Sequence, residues 1–309
     1  MTDVILHHYD ASPFAKKIRL IFGMKNLNWK SVEIPRVMPK PDLVALTGGY
    51  RRTPVLQKGA DIFCDTVLIA KVINALSPEV DVYPSDQLAT VNAMSQWGDT
   101  QLFQNAVGLV FQKDILIAMF GGNEKAMAAF AEDRSALNKD APRRRIPASE
   151  AKVFIEQALD QINEQLSDDR PFLLGDYLTI ADASVYHPLW FLQTKPIVNE
   201  TLKPYANVNR WMERLNAFGE GESSVLTSEA AIQVARQSEP NSLSATCMLE
   251  GFAIGDQVSV MPADYGFDPV LGTLRYADEH KVAIARTDER AGEVVVHFPR
   301  INYLVKHLK

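Results

Sequence analysis

The sequence predicts an α/β unit, then an all-α helical bundle, then a small all-β unit. Three observations carry that order. Residues 1 to about 80 alternate strand and helix patterns, residues 86–220 hold long stretches of 3.6-residue apolar period, and from about 245 the period switches to two. The boundaries expected are 1–80, 86–220, a helix and linker over 221–244, and 245–309.

In the first unit Val4 to His8 reads as a strand and Pro13 to Met24 as a helix with Phe14, Ile18, Ile21 and Phe22 on one stripe. Trp29 to Ile34 alternates as a half-buried strand does, and Pro35 to Pro41 reads as a loop. Thr53 to Leu56 and Ala60 to Phe63 form a predicted hairpin about Lys58-Gly59, and Asp65 opens a helix that Ser77-Pro78 stops. Two parallel strands joined through a helix need a crossover, so a four-stranded mixed sheet with helices on both faces is expected.

The second unit predicts helices over Leu88–Phe120, Glu124–Leu137, Ser149–Leu166, Ile180–Leu192 and Val208–Asn216. Met94, Trp97, Leu102, Phe103, Val107, Val110 and Phe111 form an apolar stripe on the first of these, suited either to bundle core or to a pocket wall. Arg143-Arg144-Arg145 reads as a solvated loop. A helix is expected around Ser228–Arg236, with a polar linker over Gln237–Ser244. Four strands follow at Gln257–Val260, Leu271–Leu274, Val282–Ala285 and Glu293–Val296, a spacing that resembles an SH3-like barrel.

A formal net charge of −6 and a pI near 5.6 argue against nucleic acid or an anionic membrane as partner. In the third unit acidic residues such as Asp256, Asp264, Asp268 and Glu279 outnumber basic ones, which argues the same way; a role in packing on the bundle or covering a pocket is expected there. Cys64 and Cys247 lie too far apart in sequence to suggest a disulfide framework or zinc site. Met1-Thr2-Asp3 leads straight into a strand and no apolar run reaches the ~18 residues of a membrane span, so the cytoplasm is expected.

Three short segments carry chemistry. Ser12-Pro13 is first a helix start: serine caps, and proline fits the first helical position. A serine with no assigned base is a poor nucleophile, but its hydroxyl at a helix N-terminus suits a thiolate brought by a substrate. Arg52-Thr53-Pro54 places proline at a strand start, where a cis bond leaves neighbouring backbone groups free to pair with an extended peptide. Asp65-Thr66 at a helix N-terminus reads as an ordinary cap or as a carboxylate-binding site. Tyr9 is expected to pack, Asp182 to cap a helix, and His7 and His8 have no third ligand at metal spacing.

Together these motifs resemble the glutathione transferase superfamily, whose N-terminal domain is thioredoxin-like. "RPFLLGDYLTIADASVYHPLW", with Thr179 three residues before Asp182, and "YANVNRWMERL" extend the resemblance to residue 220. The resemblance implies glutathione as co-substrate, no metal, a small electrophile as second substrate and a homodimer. It implies that Thr53 pairs with the cysteinyl part beside cis-Pro54, Asp65 and Thr66 hold the γ-glutamyl end, Arg52 lies near the glycyl or cysteinyl portion, Phe14 contacts the ligand, and Ser12 hydrogen-bonds the sulfur. The serine-proline-phenylalanine form is similar to tau-like members, whereas omega-like members carry cysteine there. Cysteine forms a mixed disulfide; serine can only activate the ligand's thiol. Lowering a thiol pKa of ~8.5 by about two units needs roughly 2.7 kcal/mol, within reach of one charge-assisted hydrogen bond and a helix terminus. The alternatives are a non-catalytic interaction module on the same fold, or a glutathione-dependent lyase, dehalogenase or peroxidase. The electrophile itself is not legible in the sequence.

Overall fold

The computed structural model describes residues 3–141 and 146–308. The arginine run 143–145 lies outside the described residues. The chain runs β1 (Val4–His8), α1 (Pro13–Met24), β2 (Asn28–Glu33), α2 (Pro41–Thr47), β3 (Val55–Lys58), β4 (Asp61–Cys64) and α3 (Thr66–Leu76). The helical part holds α4 (Leu88–Trp97), a π-helical turn at Gly98–Leu102, α5 (Phe103–Val110), α6 (Lys113–Met119), α7 (Glu124–Leu137), α8 (Ala148–Gln165), α9 (Ile180–Gln193) and α10 (Ala206–Asn216). Then come β5 (Glu222–Val225), α11 (Ser228–Arg236), β6 (Gln257–Pro262), β7 (Val270–Ala277), β8 (Lys281–Asp288), β9 (Gly292–Pro299) and β10 (Tyr303–His307).

The first four strands make the expected mixed sheet, with β1 parallel to β2 and antiparallel to β3, and β3 antiparallel to β4. Their alternation feeds two cores. Leu6, Leu56 and Phe63 face α1, α3 and the helical bundle, whereas Ile5, Val55 and Ile62 face the other way, into the core that includes Leu43 and Leu46 of α2 and Ile232 of α11. Buried α9 runs through the bundle; it is apolar on nearly every side, as a central helix must be.

The sheet does not stop at four strands. Strand β5 adds to β2 in parallel, and β9 adds to β4 in parallel, giving one sheet of ten strands in the order β10-β6-β7-β8-β9-β4-β3-β1-β2-β5. The C-terminal all-β region is therefore present as expected, with β10 closing back on β6, but it is not a separate module on a tether. Its apolar residues, among them Val260, Leu274, Ile284 and Phe298, belong to the same core as Ile5 and Val55. Joining the edges covers ladder groups that β4 would otherwise leave open.

Three local differences from expectation have physical causes. The predicted helix Leu88–Phe120 is interrupted by the π turn and again at Phe111, whose backbone leaves the helical region at φ −85°, ψ 46°. The linker 237–244 has no regular structure, yet Asn241 is held by the Asp61 carboxylate, through backbone N at 2.9 Å and Nδ2 at 2.6 Å. Strand β5 approaches β2 so closely that a Cβ at Gly221, φ +70°, would lie 2.3 Å from the Leu27 carbonyl oxygen; only glycine fits.

Candidate functional site

The turn Tyr9–Ser12 carries the chain from β1 into α1. The Ser12 amide donates to Tyr9 O at 3.0 Å, and its Oγ accepts from Ala15 N at 3.2 Å, with Pro13 in the first helical turn. Ser12 is thus the N-cap of α1, and it is buried. Its Oγ accepts one bond, and its own O–H has no acceptor among the described residues. Tyr9 stands beside it, half-buried, with the Lys40 ammonium 6.0 Å over its ring.

A cleft of about 360 Å³ opens next to this turn. It gathers Phe14 from α1, Arg52, Thr53 and Pro54 from the entry to β3, and Asp65 and Thr66 from the start of α3. All six residues expected around the ligand therefore share one cavity, although they come from three separated segments. Ser12, expected at the sulfur, is not part of the cleft lining. The Thr53–Pro54 bond is cis, as expected, and Thr53 makes no backbone hydrogen bond outside the strand ladders among the described residues. Its Oγ1 accepts from Lys40 Nζ at 3.2 Å. Burial, with Arg134 adding repulsion, brings the Lys40 ammonium pKa down to about 8.

Asp65 caps α3, its Oδ1 accepting from Val67 N at 3.0 Å, and it sits at φ 75°, a conformation that non-glycine residues rarely adopt. Such outliers concentrate where a side chain must be aimed at a ligand. Its Oδ2 accepts from the Tyr303 hydroxyl at 3.0 Å, and that hydroxyl lies 3.1 Å from Tyr50 OH. Burial pushes both phenols well above the ordinary tyrosine range, so both stay protonated and able to donate.

Arg52 is turned toward the C-terminal β region. Nη2 donates to the Asp264 carboxylate and to Tyr265 O at 2.6 Å, and the guanidinium lies 3.8 Å over the Tyr265 ring. Nη1 is 3.7 Å from Asp65 Oδ2, and the buried Nε has no partner among the described residues. The loops after β6, β7 and β9 complete this wall with Asp264, Tyr265, His280 and Ile301. The C-terminal region therefore lines the cleft, in line with a covering role.

At the floor, Lys17 Nζ donates to Asp99 Oδ2 at 2.6 Å, and Asp99 Oδ1 meets His187 Nε2 at 3.1 Å. Burial lowers the His187 pKa, so the ring is neutral at pH 7, and its Nδ1 has no partner among the described residues. Phe14 packs against both Phe103 and His187, with centroids 4.6 Å apart in each case. Asp99 stands on the π turn, a geometry often found at functional positions. Of the apolar stripe read on this helix, Leu102 and Val110 are core and only Phe103 lines the cleft; the rest of that wall is polar, from Asn92, Ser95, Gln96 and Thr100.

The remaining candidates take structural places. Asp182 is a buried cap: its Oδ2 accepts from Thr179 N at 3.0 Å and its Oδ1 from Leu173 N and Trp211 Nε1. His7 bonds Gln57 at 2.8 Å, and His8 bonds Ser31 and Arg19. Among the described residues no group of three His, Cys, Asp or Glu side chains is placed to hold a metal ion, and no single helix is long and apolar enough to cross a membrane. Sequence reasoning missed Tyr303, the Asp264-Tyr265 pair and the Lys17–Asp99 pair. Lys17 alone left a signal, a charge set three residues after Phe14 on the apolar stripe of α1.

The comparisons agree with this architecture. The family model for the glutathione S-transferase N-terminal domain matches residues 6–80, and that for the C-terminal domain matches residues 149–214. Among solved structures, a GST-like protein from Pseudomonas syringae is 37% identical, with 100% of each chain covered and a TM-score of 0.84. A glutathione S-transferase from Rhodospirillum rubrum F11 is 18% identical over 69% of this chain and 88% of its own, with TM-score 0.54. Glutathione transferase F2 from Populus trichocarpa is 14% identical over 69% of this chain and 93% of its own, with TM-score 0.52. Among curated proteins none matches the sequence. The thioredoxin-like unit, the helical bundle and the cleft between them define a transferase-type fold, and the full-length match to the Pseudomonas protein includes the C-terminal strands. The chain belongs to the glutathione S-transferase superfamily.

Proposed function

We propose that the cleft binds glutathione and that the protein ionises its thiol for attack on a small electrophile. The observation that carries this reading is the convergence of Phe14, Arg52, Thr53, Pro54, Asp65 and Thr66 on one cavity. In this reading Thr53 offers its backbone to the cysteinyl unit, Asp65 faces the γ-glutamyl ammonium and the Thr66 end of α3 faces the carboxylate beside it. Ser12 donates its uncommitted O–H to the sulfur; because its Oγ already accepts from Ala15 N, capping orients the hydroxyl hydrogen and the two roles are compatible. A family homodimer in the cytoplasm remains part of this proposal.

Calorimetric titration with glutathione tests it. Binding at millimolar ligand or tighter is expected, with Asp65→Ala abolishing it. A folded protein that takes up no glutathione at those concentrations rules the reading out. One observation favours a second reading, a binding module without turnover: buried Ser12 does not line the cleft. Glutathione binding with no change in its thiol ionisation is the result that selects that module. A lyase, dehalogenase or peroxidase shares the same first step and differs only in the electrophile.

A further inference from the structure

We propose that the C-terminal β region is a working wall of the ligand site, in which Tyr303 and Asp264 position Asp65 and keep its charge available for a primary ammonium group. This rests on the glutathione reading above and adds residues that neither the family models nor the motifs reach.

Charge sets the first constraint on this wall. Arg52 and Asp65 line the same cleft with Nη1 and Oδ2 only 3.7 Å apart. Left to themselves, a guanidinium and a carboxylate at that distance close into a bidentate pair. A carboxylate so paired has little left for a ligand's ammonium. In this protein Arg52 is drawn the other way. Asp264 takes Nη2 in a charge-assisted hydrogen bond, the Tyr265 carbonyl accepts from the same nitrogen at 2.6 Å, and the Tyr265 ring lies 3.8 Å beneath the guanidinium plane. Asp264, more than two hundred positions away in sequence, thereby takes the closer contact with Arg52, and Asp65 is left with only the 3.7 Å approach of Nη1.

The second half is orientation. Asp65 holds φ 75°, which only surrounding contacts can maintain. Val67 N fixes one carboxylate oxygen and the buried Tyr303 hydroxyl fixes the other, itself backed by Tyr50 OH. Each oxygen keeps an unshared acceptor site for the ligand. Tyr303 and Asp264 come from the loops and strand that β10 and β6 bring together, so a single packed region supplies both. Arg52 then acts beside the ligand as a positioning residue, and the ligand chemistry favoured is an extended peptide with a free α-amino group.

The test uses the full chain and two ligands: glutathione and glutaryl-cysteinylglycine, which is glutathione without its α-amino group. Affinities are measured by calorimetry for wild type, Tyr303→Phe and Asp264→Asn, with thermal melting on the same samples. Each variant is expected to weaken glutathione about tenfold, the loss of one hydrogen bond to a charged partner, and to leave the desamino ligand unchanged. Asp264 is a third exposed, so its variant carries the test if Tyr303→Phe fails to fold. Wild-type affinity for glutathione in both variants overturns the inference and leaves the glutathione site standing. So does equal weakening of both ligands, or tighter glutathione binding by Asp264→Asn, which would mean the wall competes with the ligand. Absence of glutathione binding by the wild type removes the parent reading, and this one with it.

Discussion

His297 Nε2 lies 2.7 Å from Asp61 Oδ1, across the seam where β9 meets β4. Both side chains are buried; the imidazole stacks on Phe63 with centroids 4.5 Å apart, while the second Asp61 oxygen holds Asn241. The pair fastens the C-terminal strands to the thioredoxin-like sheet, and through that seam sets the wall of the cleft.

Replacing His297 with Phe keeps the stack and removes the hydrogen-bond partner of the Asp61 carboxylate. A buried carboxylate that loses its partner costs several kcal/mol, partly offset here by the Asn241 bonds. The expected loss of stability is about 3 kcal/mol, read as a shift of the urea midpoint; an unchanged midpoint would show that the seam is held by packing alone.

Acid should weaken the fold before it titrates most carboxylates. Burial lowers the pKa of His7 and His8 to about 4, with Arg19 contributing at His8, and it lowers His187 and His297 as well. Below pH ~6.5 the unfolded chain binds protons that the native state refuses, so stability falls as pH drops from about 6.5 toward 4. His7 alone contributes roughly 3 kcal/mol of that loss. Urea melts at pH 7.5 and pH 5 measure it, and equal midpoints would contradict the neutral burial of these rings.

At the cleft floor, Lys17→Met strands the Asp99 carboxylate. A loss of about 3–5 kcal/mol is expected, with most of it recovered when Asp99→Asn is added. Additive losses in the double variant would mean that Lys17 and Asp99 do not act as a pair.

Gly98 lets the π turn sit against α9: a Cβ there would lie 2.5 Å from Ser184 O. Gly98→Ala should push the turn away, cost about 1–3 kcal/mol and weaken ligand affinity through the displaced Asp99. Unchanged melting and binding would show that the turn moves freely.

Much of this architecture was legible from local chemistry. Ser12-Pro13 and the stripe of Phe14, Ile18, Ile21 and Phe22 mark α1 from Pro13 to Met24, and Asp65 marks the start of α3. The α7 helix falls on its predicted bounds, Glu124–Leu137. What was not legible depends on partners distant in sequence. Strand β5 is exposed at all four residues, so it carries no alternation, and β10 exposes three of its five residues while burying Tyr303. The parallel join of β9 to β4 leaves no turn signal, since no hairpin connects them. Arg52 is the instructive case. Its place in the cleft followed from the motif, but its partners Asp264 and Tyr265 lie more than two hundred residues on and have no motif of their own.

Ser12 remains the residue on which the functional account turns, since it caps α1 and its O–H has no acceptor among the described residues. The most direct measurement is a pH titration of the thiolate absorbance of bound glutathione, in wild type and in Ser12→Ala, with melting curves to confirm both are folded. The account predicts a bound thiol pKa about two units below the ordinary ~8.5 in the wild type, returning toward that value in Ser12→Ala. The same lowered pKa in both proteins would contradict the role given to Ser12.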